Sequence, residues 1–285
     1  MKSLCIYKYY LPLIYLSVIA LQSCEDTAKI NEVEPQDISH PLENKANLLL
    51  NGELLPDLQT VVPLHLQIQN AQKRETVRFS NGIANTGAGH LYLRPEFPGS
   101  SSDGHDHQHA WQRIFSSDGS FREELVSTYE YHPEHNHWHI DAVAKFVICT
   151  DKDRPDETQY GDAGVKVTFC LVDWYKMEGP SKTPERTFFA CDRKADKQGI
   201  SPGWVDQYNQ AVPGQELDIT GAPAGEYYLV STSNPDLSFI ESDYQNNTAW
   251  VKFQLSRESK GNAKLKIIDQ SVKTGPLSGA GAPNR

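Results

Sequence analysis

Short stretches of alternating apolar and polar residues run through most of the chain. The clearest alternations are Leu64/Leu66/Ile68, Val77/Phe79 and Leu91/Leu93. Successive side chains of a strand point to opposite faces, so this alternation predicts strands with one buried face. Glycine and asparagine pairs such as Asn81-Gly82 supply the turns between them.

A strongly apolar run at 143–149 predicts a buried strand. The segments 165–172, 225–231 and 248–255 are further strand candidates, the last two as closing strands of a sandwich. We therefore predict an all-β fold, a single immunoglobulin-like β-sandwich with long irregular loops, in a domain of residues 53–273.

The N-terminus is typical of an export signal. Lys2 and Lys8 precede an apolar run at 11–21, which is short for a membrane span. The run ends in Leu21-Gln22-Ser23-Cys24, which resembles the bacterial lipoprotein processing box. An ordinary secretory signal with a chance cysteine is the alternative.

The lipoprotein interpretation gives 1–23 as signal peptide, lipidated Cys24, 24–52 as flexible tether and 274–285 as disordered tail. It predicts a protein exported to the periplasm or cell surface and held on the membrane by its lipid anchor alone.

The formal net charge of −10 does not alter the prediction of an exported all-β domain, but it bears on the binding partners. The predicted signal carries two lysines and no acid, so its removal leaves −10 − 2 = −12. Such a balance argues against nucleic-acid binding and mildly favours cationic partners, including amines.

Seven of the ten histidines lie between His105 and His139. His135, His137 and His139 alternate with Asn136 and Trp138, so a strand would place the three imidazoles on one face. Imidazole is a preferred ligand of copper and zinc, and we predict a metal site here. Residues i and i+4 of an ideal strand are roughly 13 Å apart, so the three rings converge only if the strand curls or bulges.

A second alternating set precedes the first. His105, His107 and His109 lie in a Ser/Gly/Asp/His-rich stretch at 99–109. The set suggests a second metal site, but glycine-rich polar loops lose much entropy on ordering, and a solvated loop is the competing interpretation.

Four blocks of sequence together resemble the lysyl oxidase catalytic domain in its shorter bacterial form, over residues 54–255. They are His135-Asn136-His137-Trp138-His139, Lys166-Val167-Thr168-Phe169-Cys170-Leu171-Val172-Asp173, the stretch 199–208 (GISPGWVDQY), and Gly225-Glu226-Tyr227-Tyr228-Leu229 through to Glu241-Ser242-Asp243-Tyr244-Gln245-Asn246-Asn247.

The resemblance implies a copper amine oxidase with a self-made quinone. His135, His137 and His139 stand at the copper ligands, and Lys166 and Tyr208 at the residues that cross-link into lysyl tyrosylquinone. The implied reaction converts primary amines and dioxygen to aldehydes, hydrogen peroxide and ammonia. Such a cofactor needs a neutral lysine amine as nucleophile, and a base to remove a substrate proton. Asp141 is our candidate base, with an orienting carboxylate as the alternative.

An oxygen-rich cluster near the C-terminus has a separate role. Some members of the family that this chain resembles have a calcium site in the corresponding region. By that resemblance, the calcium ligands here would be Asp57, Leu58 (carbonyl), Glu241, Asp243, Asn246 and Asn247. Carboxylate, amide and carbonyl oxygens suit Ca²⁺, which would join the first and last strands of the domain. A turn rich in Asp and Asn is the alternative.

The cysteines depart from the animal pattern. Glu134 stands where animal members have a cysteine, and Lys176 stands about where Cys170 would find its usual partner. In an exported protein we expect a Cys170–Cys191 disulfide, with Cys149 buried and free.

Two other functions remain open from the sequence. A surface β-sandwich could bind copper and calcium without catalysis, or three histidines could hold a hydrolytic zinc. The zinc hydrolase leaves Lys166 and Tyr208 without a role. The substrate also stays open between small amines and the lysine side chains of a protein.

Overall fold

A computed structural model describes residues 52–71, 73–97, 107–133, 136–177, 185–192, 194–259 and 261–272, without the side chains of 161–166. The predicted signal peptide, lipidated Cys24, most of the tether, the tail, His105 and His135 lie outside the described residues. Within those residues no helix is long and apolar enough to cross a membrane.

Sixteen strands and no helix are found in the described part of the chain. The strands are β1 (Glu53–Leu54), β2 (Leu58–Thr60), β3 (Leu64–Ala71), β4 (Arg74–Asn85), β5 (Leu91–Pro95), β6 (His107–Ser116), β7 (Phe121–His132), β8 (His137–Cys149), β9 (Gln159–Phe169), β10 (Tyr175–Lys176), β11 (Gln198–Ile200), β12 (Trp204–Tyr208), β13 (Glu216–Asp218), β14 (Gly225–Ser233), β15 (Thr248–Arg257) and β16 (Ala263–Gln270). The all-β prediction is confirmed.

These strands form two antiparallel sheets. The larger has ten strands in the order β11-β5-β6-β7-β8-β14-β15-β16, with β1 beside β6 and β9 beside β8. The smaller has six, in the order β10-β12-β4-β13, with β2 and β3 also on β4. An immunoglobulin-like topology, the finer part of the fold prediction, stays a prediction.

One large hydrophobic cluster contains residues of both sheets. Phe79 of β4 and Phe146 of β8 are fully buried in it, with ring centroids 4.8 Å apart in an edge-to-face arrangement. Such a pair contributes about 1 kcal/mol beyond the area it buries. This shared core fixes β8, which carries the histidines, against β4, which pairs with β12 and its Tyr208.

Most predicted strands are present, with some differences. The pair Asn81-Gly82, predicted as a turn, lies inside β4 and pairs with β12. The run 165–172 leaves the sheet after Phe169, where Cys170 enters a disulfide and Leu171 bonds instead to Gln198 and Gly199 of β11. Residues 263–270 form β16, which we did not predict, since its alternation is obscured by four charged or amide side chains in eight residues.

Candidate metal and amine site

The predicted metal strand begins at a tight hairpin between β7 and β8. Asn136 adopts the left-handed conformation (φ 54°), which asparagine tolerates better than most residues, and its Oδ1 accepts the Tyr131 hydroxyl at 2.6 Å. His132 of β7 is thereby paired with His137 of β8, and Glu130 with His139. The hairpin brings a fourth histidine, His132, beside the predicted set.

Three of these imidazoles line a single cavity of about 290 Å³. Its walls are formed by His132, His137, His139, Val167, Thr168, Phe169, Tyr208, Val212, Pro213, Gly214 and Gln215. The cavity therefore joins β7 and β8 to β9, to the end of β12 and to the loop that follows it.

Within the cavity the two imidazoles of β8 converge. Nε2 of His137 lies 2.8 Å from Nε2 of His139, and Nδ1 of His139 lies 2.9 Å from the Thr168 hydroxyl. The ring of His132 lies against that of His139, with centroids 4.3 Å apart. Thr168 therefore holds one nitrogen of His139 so that the other faces His137.

The spacing of these nitrogens fits two ligands of one copper ion. Two imidazole nitrogens at about 2.0 Å from one ion and near a right angle are about 2.8 Å apart, as in square-planar Cu(II). No set of three or more His, Cys, Asp or Glu side chains is arranged around one metal position within the described residues. His135, the third predicted ligand, is outside them.

Tyr208 reaches the cavity from the other sheet. Its hydroxyl accepts the Cys170 backbone N–H at 2.9 Å and donates to the Cys170 carbonyl at 3.2 Å. Its ring packs on Phe169, with centroids 4.3 Å apart. Phe169 is the last residue of β9 and Cys170 follows it, so the ring is fixed beside the strand that carries Lys166.

Lys166 lies on β9, where it pairs in register with Lys145 of β8. It is two residues before Thr168, so the two positions share one face of the strand by its period of two. Thr168 lines the cavity. Val167 and Phe169 line it too, so Lys166 directly precedes the three cavity residues of β9.

Asp141 is exposed and lies in a bulge of β8. Ile140 pairs with Phe169 and Ala144 with Val167, so the three residues between them on β8 face one on β9. Ala142 adopts a φ of 51°, and Asp141 Oδ1 accepts its N–H at 2.8 Å. Asp141 is not among the residues that line the cavity. Its role as a base stays a prediction.

The structure contains a Cys170–Cys191 disulfide and a buried free Cys149, the arrangement that we expect from the sequence. Burial raises the pKa of the Cys149 thiol to about 11, which leaves it protonated and unreactive at neutral pH. The backbone carbonyl of Cys191 accepts the Trp138 N–H at 2.7 Å. The disulfide thus ties the residue that holds Tyr208 to the histidine strand.

The predicted calcium residues also meet, apart from one. Glu241 is 2% exposed and accepts the Leu58 N–H (2.8 Å) and the amide groups of Asn234 (2.6 Å) and Asn247 (2.7 Å). Asn246 donates to Asp57 at 2.9 Å. Asp243 is exposed and accepts the Gln245 N–H at 2.8 Å.

Two oxygens of this cluster are unsatisfied. Oδ1 of Asn246 and Oδ1 of Asn247 are buried and have no hydrogen-bond partner in the described part of the chain. A buried acceptor without a partner costs roughly 1–3 kcal/mol. Both lie beside carboxylates, so a cation would satisfy oxygens that the protein leaves bare.

Two findings from comparison bear on this site. The model of the lysyl oxidase family matches residues 118–263, just over half of the 285-residue chain. The chain belongs to the lysyl oxidase family. The match includes β7, β8, β9 and β12, the four strands that contribute residues to the cavity.

Known relatives carry the family name too. Protein-lysine 6-oxidase of Sus scrofa is 34% identical over 121 residues, which cover 42% of this chain and 44% of that protein. Lysyl oxidase homolog 1 of Homo sapiens is 33% identical over 142 residues, which cover 50% of this chain and 23% of that protein. The chain thus spans less than half the length of these curated relatives.

Proposed function

We propose that this lysyl oxidase family protein is a copper-dependent amine oxidase that uses a lysyl tyrosylquinone made from Lys166 and Tyr208. The reaction is RCH₂NH₂ + O₂ + H₂O → RCHO + NH₃ + H₂O₂. The observation that supports it best is the single cavity that collects converging imidazoles and the Tyr208 ring from two different sheets.

His137 and His139 would hold the copper, with His135 as the third ligand. When bound, copper with dioxygen supplies the oxidising power that turns a tyrosine ring into an electrophile no unmodified side chain offers. Thr168 fixes the orientation of the His139 ring, as partners of metal-binding histidines commonly do.

The other residues of the cavity position the reacting groups. The backbone of Cys170 holds the Tyr208 hydroxyl, and Phe169 holds the face of its ring. Lys166 acts as the nucleophile that joins this ring, and it must be neutral to do so. Val167, Val212 and Pro213 give the cavity an apolar wall that limits the entry of water.

The substrate that we propose is a primary amine, either a small molecule or a lysine side chain of another protein. The lining contains imidazoles, hydroxyls and apolar groups. The imidazoles and hydroxyls can accept hydrogen bonds from an amine without binding it as tightly as a carboxylate would.

The test is peroxide release from a primary amine by the copper-loaded protein, together with the masses of its tryptic peptides. We expect peroxide release that stops on copper chelation, and a joined peptide pair spanning Lys166 and Tyr208. Lys166→Ala and Tyr208→Phe should lose both the joined pair and the peroxide, because each removes one partner of the bond.

Matched controls change the same residue types on strands outside the cavity. Tyr228→Phe on β14 and Lys252→Ala on β15 should retain both properties. Copper binding without a joined peptide or peroxide would instead support the non-catalytic copper and calcium protein. Hydrolysis with zinc in place of copper would support the zinc enzyme.

We also propose a structural Ca²⁺ ion among Asp57, Leu58, Glu241, Asp243, Asn246 and Asn247. The two bare amide oxygens beside buried Glu241 support it. The Leu58 N–H bond to Glu241 and the Asn246 bond to Asp57 already join β2 to the segment before β15. The ion would strengthen this connection.

Export as a membrane-anchored lipoprotein, through Cys24, remains part of the proposal. The charged and apolar order of residues 1–24 supports it. The Cys170–Cys191 disulfide agrees with an oxidising compartment outside the cytoplasm.

A further inference from the structure

Two histidines outside the cavity face the same side of the large sheet as the histidines inside it. His107 and His109 lie at the start of β6, where their side chains are 65% and 56% exposed. His107 pairs in register with Glu130, and Glu130 pairs with His139. One row of the sheet therefore runs from the solvent to the cavity.

Glu130 connects the outer and inner histidines through its two carboxylate oxygens. Oε1 lies 3.5 Å from Nε2 of His107, and Oε2 lies 3.6 Å from Nε2 of His132. Both separations are long for a hydrogen bond. An imidazole nitrogen and a carboxylate oxygen bound to one Cu²⁺ ion at a right angle, each about 2.0 Å away, are about 2.8 Å apart, so each of these gaps must close by less than about 1 Å to bind the ion.

The row continues without a break into the cavity. The His132 ring is 4.3 Å from the His139 ring, whose Nε2 is 2.8 Å from that of His137. Beside the outer end, Nδ1 of His109 lies 3.1 Å from a carboxylate oxygen of Glu96. The distance between neighbouring side chains of this row is thus always shorter than the diameter of a hydrated ion.

We propose that His107 and Glu130, assisted by His109 and Glu96, capture Cu²⁺ at the surface and pass it through His132 to His137 and His139. This inference rests on the proposed copper centre. The outer groups come in pairs of one imidazole and one carboxylate. A site with only two protein ligands binds a copper ion weakly enough to release it. The two exposed carboxylates attract the cation and raise its concentration near the surface.

The test is the rate of copper loading, followed by quenching of tryptophan fluorescence after metal-free protein is mixed with Cu²⁺. Trp138 lies between His137 and His139 in sequence, and its side chain is buried in the core on the opposite face of β8. We expect Cu²⁺ on its two neighbours to quench its fluorescence. For the double variant His107→Gln/His109→Gln we expect loading at least about tenfold slower than for wild type. The final copper stoichiometry and affinity should be unchanged, because the cavity ligands are intact.

His65→Gln is the matched control, since His65 is an exposed histidine on β3 of the other sheet. It should load at the wild-type rate. Glu130→Gln should also slow loading, because Glu130 faces both His107 and His132. It should leave the final affinity unchanged, because Glu130 is not among the proposed ligands of the copper centre.

Loading of the double variant at the wild-type rate would overturn the inference while leaving the proposed copper centre intact. Loss of one tightly bound copper equivalent in that variant would also overturn it, since the outer pair would then be a storage site and not a transfer site. Wild-type protein that binds no copper would overturn both proposals.

Discussion

Glu241 shows how one buried carboxylate can depend on a cation. Burial is the main cause that raises its pKa to about 7, and the nearby Asp57 carboxylate adds to it. The hydrogen bonds from Asn234, Asn247 and the Leu58 backbone act in the opposite direction but do not compensate. Without a cation, folding therefore favours the protonated acid.

This pKa predicts that the cation-free protein loses stability as the pH rises. Between about pH 4.5 and 7 the folded state holds a proton that the unfolded chain has released, so the free energy of unfolding falls across this range. The loss from this one group is at most about 3 kcal/mol. Urea unfolding in the presence of a chelator, at pH 5 and pH 8, measures it.

Added Ca²⁺ should restore the stability at pH 8, because the ion binds the ionised carboxylate. The variant Glu241→Gln should show a smaller pH dependence and no calcium effect, whereas Asp243→Asn, at an exposed position, should keep the pH dependence. Equal pH dependence in wild type and Glu241→Gln would contradict the assignment.

At the scale of the strand, the sequence shows the histidine pattern but not how the rings converge. Alternation places His137 and His139 on one face of β8, as predicted. The approach of His132 depends on the turn at 133–136, whose closure pairs His132 with His137. Pro133 and Asn136 are residue types typical of such a turn, but we did not predict this hairpin, because strand periodicity alone does not indicate it.

The other half of the cavity was less visible in the sequence. The glycines and proline of 199–204 favour a turn, yet Trp204–Tyr208 is a strand paired with β4. Tyr208 was predicted as a cofactor residue only because of the family resemblance. Gln215 and its loop had no local signal, since their place in the cavity comes from contacts between distant segments.

The loop after β12, which forms one wall of the cavity, is held by Arg78 of β4. Arg78 donates to the carbonyls of Gln210 (2.7 Å) and Val212 (3.1 Å) and to the Glu216 carboxylate (2.5 Å). Arg78→Ala should lower the free energy of unfolding by about 2 kcal/mol, because it leaves partly buried acceptors unsatisfied. It should also raise the KM for amines, since the wall loses its support.

Arg74 offers a matched control. It pairs with the same Glu216 and with Asp218, but its side chain is 56% exposed. Removal of such a surface pair has little effect. Arg74→Ala should leave both unfolding and KM nearly unchanged, and the Arg78 interpretation fails if the two variants behave alike.

Over the whole molecule, strand content could be predicted from alternation, but the division into two sheets could not. Strand order depends on partners far apart in sequence, such as β8 with β14 and β4 with β12. The cavity lies where these sheets meet. Its geometry therefore depends on the contacts between the two sheets. One of these contacts is the bond between the Tyr208 hydroxyl and the backbone of Cys170, which is also a disulfide residue.

The Cys170–Cys191 disulfide supports both the fold and the cavity. It closes a loop with a sequence separation of 21, for which chain entropy gives a stabilisation of about 3 kcal/mol. The double variant Cys170→Ser/Cys191→Ser should be less stable by about this amount in urea unfolding. The Tyr208 hydroxyl bonds the backbone of Cys170, so the yield of joined Lys166–Tyr208 peptide should fall as well.

Dithiothreitol should destabilise wild type and leave the double variant unaffected, because Cys149 forms no disulfide. A variant as stable as wild type, with full cross-link yield, would show that the hydrogen bonds of Tyr208 and Trp138 hold this region without the disulfide.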